Sequence, residues 1–269
     1  MHAHFCLVVL ILVLALDSQG IILGRKAAPH SRPYMVLVQT WDSKMTRGSF
    51  LLNEDFVLTA ASCQDRSYTV LLGLHNYYDQ NGVQKVSVEQ AFPHEDYNPT
   101  EYTHDVMLLK LSSKVKYSET VKPIPLAGGD DGHLPQSCSV AGWGRNEPNS
   151  EHNSPILMEV NVTLIEKEVC KKRMVYCSKV QPGPREGDSG GPLVCEGKAY
   201  GVVSAGVREG ENGPLLFCTY TKIPDYKSWI DATVKRARKA SVLCRKNHWK
   251  TKGCATQQAL HGACGDVEQ

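Results

Sequence analysis

The sequence is short of several things. It has no internal repeat and no low-complexity block, and only 7% of its 269 residues are aromatic. Collagen-like and fibrous classes are excluded by this, and disorder is excluded by 42% apolar residues with a near balance of 30 basic and 28 acidic side chains. No apolar run reaches the ~20 residues that a membrane-spanning helix needs. The longest, Phe5 to Leu16, has 12, and it is followed by the small residues of Ser18-Gln19-Gly20. This pattern predicts a secretory signal peptide over residues 1–20, although Lys and Arg are missing before it. Cleavage after Gly20 would expose Ile21, and cleavage after Ser18 would leave a Gln19-Gly20 propeptide. The mature chain is therefore expected to be secreted, extracellular or in a secretory granule, with no membrane span.

What is there begins with cysteine. Of 10 cysteines all but Cys6 lie outside the signal segment, and an oxidising compartment favours disulfides over metal sites or catalytic thiols. An odd number remains, so at least one thiol is free or pairs between chains. The charge is uneven: residues 21–231 carry 22 basic and 25 acidic side chains, whereas residues 232–269 carry 8 and 2. Such a basic tail can bind anionic glycans or simply remain a solvated extension. No nucleic-acid-binding motif accompanies it. The tail pairs Cys244 and His248 with His261 and Cys264, but this spacing fits no common zinc module, so no metal and no cofactor are expected.

Along residues 21–223, short apolar or alternating runs separated by turn residues predict an all-β fold. Clear cases are Met35–Gln39, Phe56–Thr59, Val70–Gly73, Val106–Leu111, Met158–Val162 and Ala199–Val203. One helix is expected over Tyr226–Val234, with Asp225 as its N-cap and Tyr226, Trp229, Ile230, Thr233 and Val234 on one face. Residues 240–269 are polar, basic and cysteine-bearing, and read as an extension.

The most informative stretch is Gly187-Asp188-Ser189-Gly190-Gly191-Pro192-Leu193. A serine flanked by glycines lets backbone N–H groups crowd around one position and face a developing oxyanion. This stretch resembles the nucleophile loop of chymotrypsin-like (trypsin-like) serine proteases. Supporting segments follow in the family's order: Ile21-Ile22-Leu23-Gly24, Leu58 to Cys63, His104-Asp105-Val106-Met107, Cys138 to Gly144, and Ser204-Ala205-Gly206. Pro29 to Met35 and Asn53 to Leu58 are most similar to the granzyme and mast-cell-protease branch.

The resemblance implies two six-stranded antiparallel β-barrels with a C-terminal helix, the protease-like domain spanning residues 21–239. It makes Ser189 the nucleophile, Asp105 the orienting carboxylate, and the amides of Gly187 and Ser189 the oxyanion hole. It also implies that a freed Ile21 ammonium pairs with Asp188, although Leu23 stands where the family usually has glycine. One position departs more seriously: where the family has histidine, this chain reads Thr59-Ala60-Ala61-Ser62-Cys63. The imidazole must take a proton from the serine and deliver it to the leaving amine, and Ser62 can do neither. His104 is expected to face away from its neighbour Asp105, and His30 and His94 match structural or exposed positions.

The same resemblance places Gly183 near the base of the specificity pocket, with Ser204 and Gly206 as a wall and Leu216 at the back. With no charge among these, the pocket is expected to prefer an apolar side chain. It pairs Cys138 with Cys195 and Cys170 with Cys177. Cys63 is left unpaired, because its usual partner falls where this chain has Arg47-Gly48-Ser49. Cys218 reads as a buried free thiol, while Cys244, Cys254 and Cys264 can pair with one another, with Cys63 or with a second chain. Asn161-Val162-Thr163 is a glycosylation sequon. Two functions follow: an impaired protease homologue that binds a peptide-like ligand in its cleft, in immune defence, or an endopeptidase with residual or substrate-assisted activity.

Overall fold

The computed structural model describes residues 24–41, 46–129, 134–135, 137–145, 152–208 and 214–247, with side chains to residue 241. The signal segment, Ile21, Leu23, the Cys244 side chain, and Cys254, Cys264, His248 and His261 lie outside the described residues. Contacts divide the chain into two units, 1–227 and 228–269.

The first unit carries the β-structure. Strands β1 (Arg25–Lys26), β2 (Met35–Thr40), β3 (Thr46–Asn53), β4 (Phe56–Thr59), β5 (Tyr68–Leu72), β6 (Gln84–Pro93) and β7 (Met107–Leu111) form its N-terminal part. Six of these close a barrel in the order β2-β3-β4-β7-β6-β5. Its strands are apolar on successive residues, and Val36, Leu37, Phe50, Leu51, Val57, Leu58 and Leu108 are shielded from water, so both faces of these strands are covered.

Strands β8 (Cys138–Gly142), β9 (Met158–Val162), β10 (Leu164–Ile165), β11 (Val175–Ser178), β12 (Pro192–Cys195), β13 (Lys198–Arg208) and β14 (Leu215–Lys222) follow. They join β1 in an eight-stranded sheet ordered β1-β9-β8-β12-β13-β14-β11-β10. The six longer strands are the expected second barrel's complement; β1 and β10, of two residues each, sit at the ends. A buried cluster of Val140, Met158, Tyr176, Leu193, Val203 and Tyr220 fills its inner face. The Cys138–Cys195 disulfide joins register partners on β8 and β12, and Cys170–Cys177 closes the loop before β11. Both match the expected pairing.

Helix α1 (Glu168–Lys172) has no counterpart in the sequence reading. At five residues it is too short for a 3.6-residue period to show, and its ends are marked only by Glu168 in the first turn and Lys171 and Lys172 in the last. Helix α2 spans Ile223–Asn247, well beyond the expected Val234. The run Lys235-Arg236-Ala237-Arg238-Lys239-Ala240 consists of strong helix formers and contains no glycine or proline, so the helix continues although the apolar stripe fades. Asp225 lies in its first turn and is not its cap. Among the described residues no helix is long and apolar enough to cross a membrane.

Candidate active site

Three segments converge in the first unit. Strand β4 ends at Thr59, and a single 3₁₀ turn, Ala61–Cys63, carries Ser62. Asp105 lies just before β7, after His104 turns the chain with φ of 54°. Ser189 lies in the loop that enters β12. That loop is pinned by backbone bonds from Gly190 N to Val203 O (2.8 Å), Val203 N to Gly191 O (2.8 Å) and Gly191 N to Asp188 O (3.0 Å). Gly190 has φ of 87°, and a Cβ there would lie 2.1 Å from Thr59 Oγ1, so no other residue fits.

Asp105 is fully buried. Its carboxylate accepts the Ser62 amide at 2.6 Å, the Ser62 hydroxyl at 2.9 Å and the Ser204 hydroxyl at 2.5 Å. Burial drives its pKa above the ordinary carboxylate value, while the hydrogen bonds from Ser204 and Ser62 pull it back. Thr221 Oγ1 donates to the Asp105 carbonyl at 2.9 Å and fixes the backbone. The Ser189 hydroxyl donates to the Ser204 carbonyl at 3.4 Å. Among the described residues no imidazole, amine or carboxylate lies within hydrogen-bonding distance of Ser189 Oγ, and no protein acceptor takes the amides of Gly187 or Ser189.

The histidines are engaged elsewhere. His104 stacks on His94 with ring centroids 5.0 Å apart, and its Nδ1 lies 3.1 Å from the Tyr226 hydroxyl. It does turn away from the Asp105 carboxylate, but through a left-handed turn and not through strand alternation. His30 lies 5.9 Å from His75.

Asp188 is 1% exposed and accepts the amides of Gly144 and Arg185, each at 2.8 Å. A Cβ on Gly144 would come within 2.6 Å of this carboxyl group, so the Gly144 backbone can lie against it only as glycine. Burial pushes the Asp188 pKa up to about 6. Its expected partner Ile21 lies outside the described residues. A cavity of about 450 Å³ opens beside Ser62 and Ser189, with Ser204 and Gly206 in its wall. A neighbouring cavity of about 520 Å³ is bordered by Gly187, Asn153, Tyr77 and Tyr78.

A trypsin family model matches residues 21–230. The chain belongs to the trypsin family. Within it, human granzyme B is 41% identical over 235 residues, spanning 82% of this chain and 93% of that protein. Mouse granzyme E is 39% identical, spanning 85% and 97%, and mouse cathepsin G is 40% identical, spanning 88% and 94%. A solved structure titled "Structure of GrC" superposes with a TM-score of 0.70 at 36% identity, covering 79% of this chain and 98% of its own.

Against this family frame, the pocket expectations need correction. Gly183 is buried but takes no part in the cavity wall, where Pro184 and Arg185 stand instead. Leu216 is 47% exposed, and Leu215 lines the cavity. The β13–β14 pairing shifts register at Val203/Gly206 and Val207/Arg208, and residue counting does not foresee such irregularities. The expectation of an uncharged pocket fails because Arg185 lines it. Cys218, missed as a site residue, also lines it; its pairing with Gly206 across the sheet is the signal that places it there. Cys63 and Cys218 are buried free thiols, and burial raises each to a pKa of about 11. Ser49, beside Arg47, donates its hydroxyl to Val36 O at 2.8 Å.

Proposed function

We propose that this chain is a secreted or granule-stored trypsin-family protease homologue, of the granzyme and mast-cell-protease type, that acts in immune defence by binding. In this reading Ser62 stands where the general-base histidine belongs, and catalysis is impaired while the cleft is retained. The carrying observation is that the Ser189 hydroxyl meets only the Ser204 carbonyl, at 3.4 Å, among the described residues. Asp105 is ready to orient a base, but Ser62 fills the orienting position with a hydroxyl that cannot accept a proton near neutral pH. Losing the base alone costs an enzyme of this mechanism roughly 10⁶ in kcat.

The remaining parts support a peptide-like ligand in the cleft: Ser189 as nucleophile position, Gly187 and Ser189 amides as oxyanion donors, and an Ile21–Asp188 activation pair freed by removal of residues 1–20. Asn161 is exposed on β9 and suits glycosylation, and the basic residues after 232 suit anionic glycans. Salt-sensitive heparin binding that is lost when residues 240–269 are removed tests the tail. A second reading, residual or substrate-assisted proteolysis, is favoured by the open amides of Gly187 and Ser189, which are the oxyanion part of the machinery. A ligand carrying its own histidine would supply the missing base. Turnover of histidine-containing over histidine-free peptides, abolished by Ser189→Ala, supports that second reading; no turnover of either supports the first.

A further inference from the structure

Residues 94–106 join β6 to β7, and they carry both Asp105 and Tyr102, which lines the cavity beside Ser189. The loop is closed at its base by the His94 amide, which donates to Val106 O at 3.0 Å, and further out by the Asn98 amide, which donates to Thr103 O at 3.2 Å. Its returning limb holds Tyr102 and His104 at φ of 52° and 54°, a left-handed conformation that non-glycine residues keep only where their surroundings impose it. A block of three rings braces the base. His94 and His104 stack with centroids 5.0 Å apart and planes 20° from parallel, and Tyr226 of α2 stands edge-on to both, at 5.3 and 5.8 Å.

This block tolerates little positive charge. His94 Nδ1 accepts the Asp96 amide at 3.2 Å, which puts the ring proton on Nε2; a proton added at Nδ1 sets a donor against a donor and breaks that bond. It also places a cation against His104, and two charged rings 5.0 Å apart repel. Burial, and after it His104, hold the His94 pKa below its ordinary 6.5, against the opposite pull of Glu95 and Asp96. Both of these carboxylates are exposed, so water screens them. From α2 the Tyr226 hydroxyl meets His104 Nδ1 at 3.1 Å and has Asp225 beside it, while Asp105 turns its carboxylate to Ser62 and Ser204. Opening the loop separates the rings and returns His94 to its ordinary value. Protons therefore favour the open loop as pH falls below about 6.5, and the closed loop has its full advantage above that.

We propose that the stacked His94–His104 pair is a pH latch on the 94–106 loop, closed near neutrality and released in an acidic compartment, so that Tyr102 is set in the cleft wall only at neutral pH. Its use as a storage switch rests on the reading that the chain is kept in a granule. The latch itself is tested without a ligand or a cell, so the two can fail separately.

The test is hydrogen exchange on the full mature chain at pH 7.5 and pH 5, with segment 94–106 followed by mass spectrometry and rates corrected for their intrinsic pH dependence. Protection of the segment should fall about tenfold in wild type, the scale of one like charge at this distance in a partly exposed site, while β8 and β12 stay protected. His104→Phe keeps a ring in the stack but leaves one cation at most, and should cut the fall to about threefold or less. The double variant His94→Phe, His104→Phe should abolish it. Protection that does not change with pH in wild type, or a fall that persists in the double variant, overturns the proposal. Ring NMR of wild type needs no variant to fold: the latch requires the two rings to titrate in separate steps, and a single step shared by both at the ordinary value refutes it.

Discussion

Replacing Asp188 by asparagine isolates the cost of one buried charge. The carboxylate is 1% exposed, and burial pushes its pKa up to about 6 from 3.8. A displacement of roughly two units corresponds to about 3 kcal/mol. Below about pH 4 the group is protonated in both folded and unfolded chains, so it contributes no penalty. Between about pH 4 and 6 the unfolded chain releases its proton while the folded chain keeps it; stability therefore falls as pH rises, and levels off above pH 6. The Asp188→Asn side chain would carry no charge and so remove this slope, but its amide nitrogen would face one of the two backbone N–H groups that Asp188 now accepts, at a cost of about 1 kcal/mol. The net expectation is a gain of roughly 2 kcal/mol at pH 7 and a loss of about 1 kcal/mol at pH 4, where only the amide mismatch remains. Urea unfolding, with disulfides intact, on a chain whose N-terminus is extended beyond Ile21 reads this directly. A slope that is flat in wild type, or unchanged in the variant, refutes the reasoning. Freeing Ile21 should reverse the wild-type slope if its ammonium reaches Asp188.

Three further outcomes are expected. Asp105→Ala leaves the Ser62 amide and the hydroxyls of Ser62 and Ser204 without their acceptor, and should destabilise the fold by about 2–5 kcal/mol in urea titration. Arg47→Cys should form a disulfide with Cys63, detectable as a loss of two mass units, and raise stability by about 3 kcal/mol for a loop of about 15 residues; failure to bond would show that the two positions do not correspond to the family pair. Cys63 and Cys218, raised to about 11, should resist iodoacetamide at pH 7.5 in the folded chain and react promptly once it is unfolded. Fast labelling of the native protein would contradict their burial.

The strand framework was readable because short apolar runs stand between turn residues: Phe56–Thr59 and Met158–Val162 coincide with β4 and β9. Both disulfides and the Asp105, Ser62 and Ser189 neighbourhood followed from motifs in the family's order, since a glycine-rich loop tolerates few sequences. The pocket was less legible. Its wall depends on register shifts in β13 and β14 and on which way the 184–187 segment turns, and neither leaves a periodic trace. The length of α2 was missed because intrinsic propensity carries it where no apolar stripe does.

The central claim is that the scaffold is competent and only the base is missing. Ser62→His tests it most directly, because an imidazole there can donate to Asp105 Oδ2, as the Ser62 hydroxyl now does at 2.9 Å. Purified mature wild type and variant are treated with a fluorophosphonate probe and assayed for peptide cleavage. Wild type should stay silent, while the variant should label at Ser189 and cleave peptides. Labelling of wild type at a protease-like rate would contradict it, because some other group would then be activating Ser189.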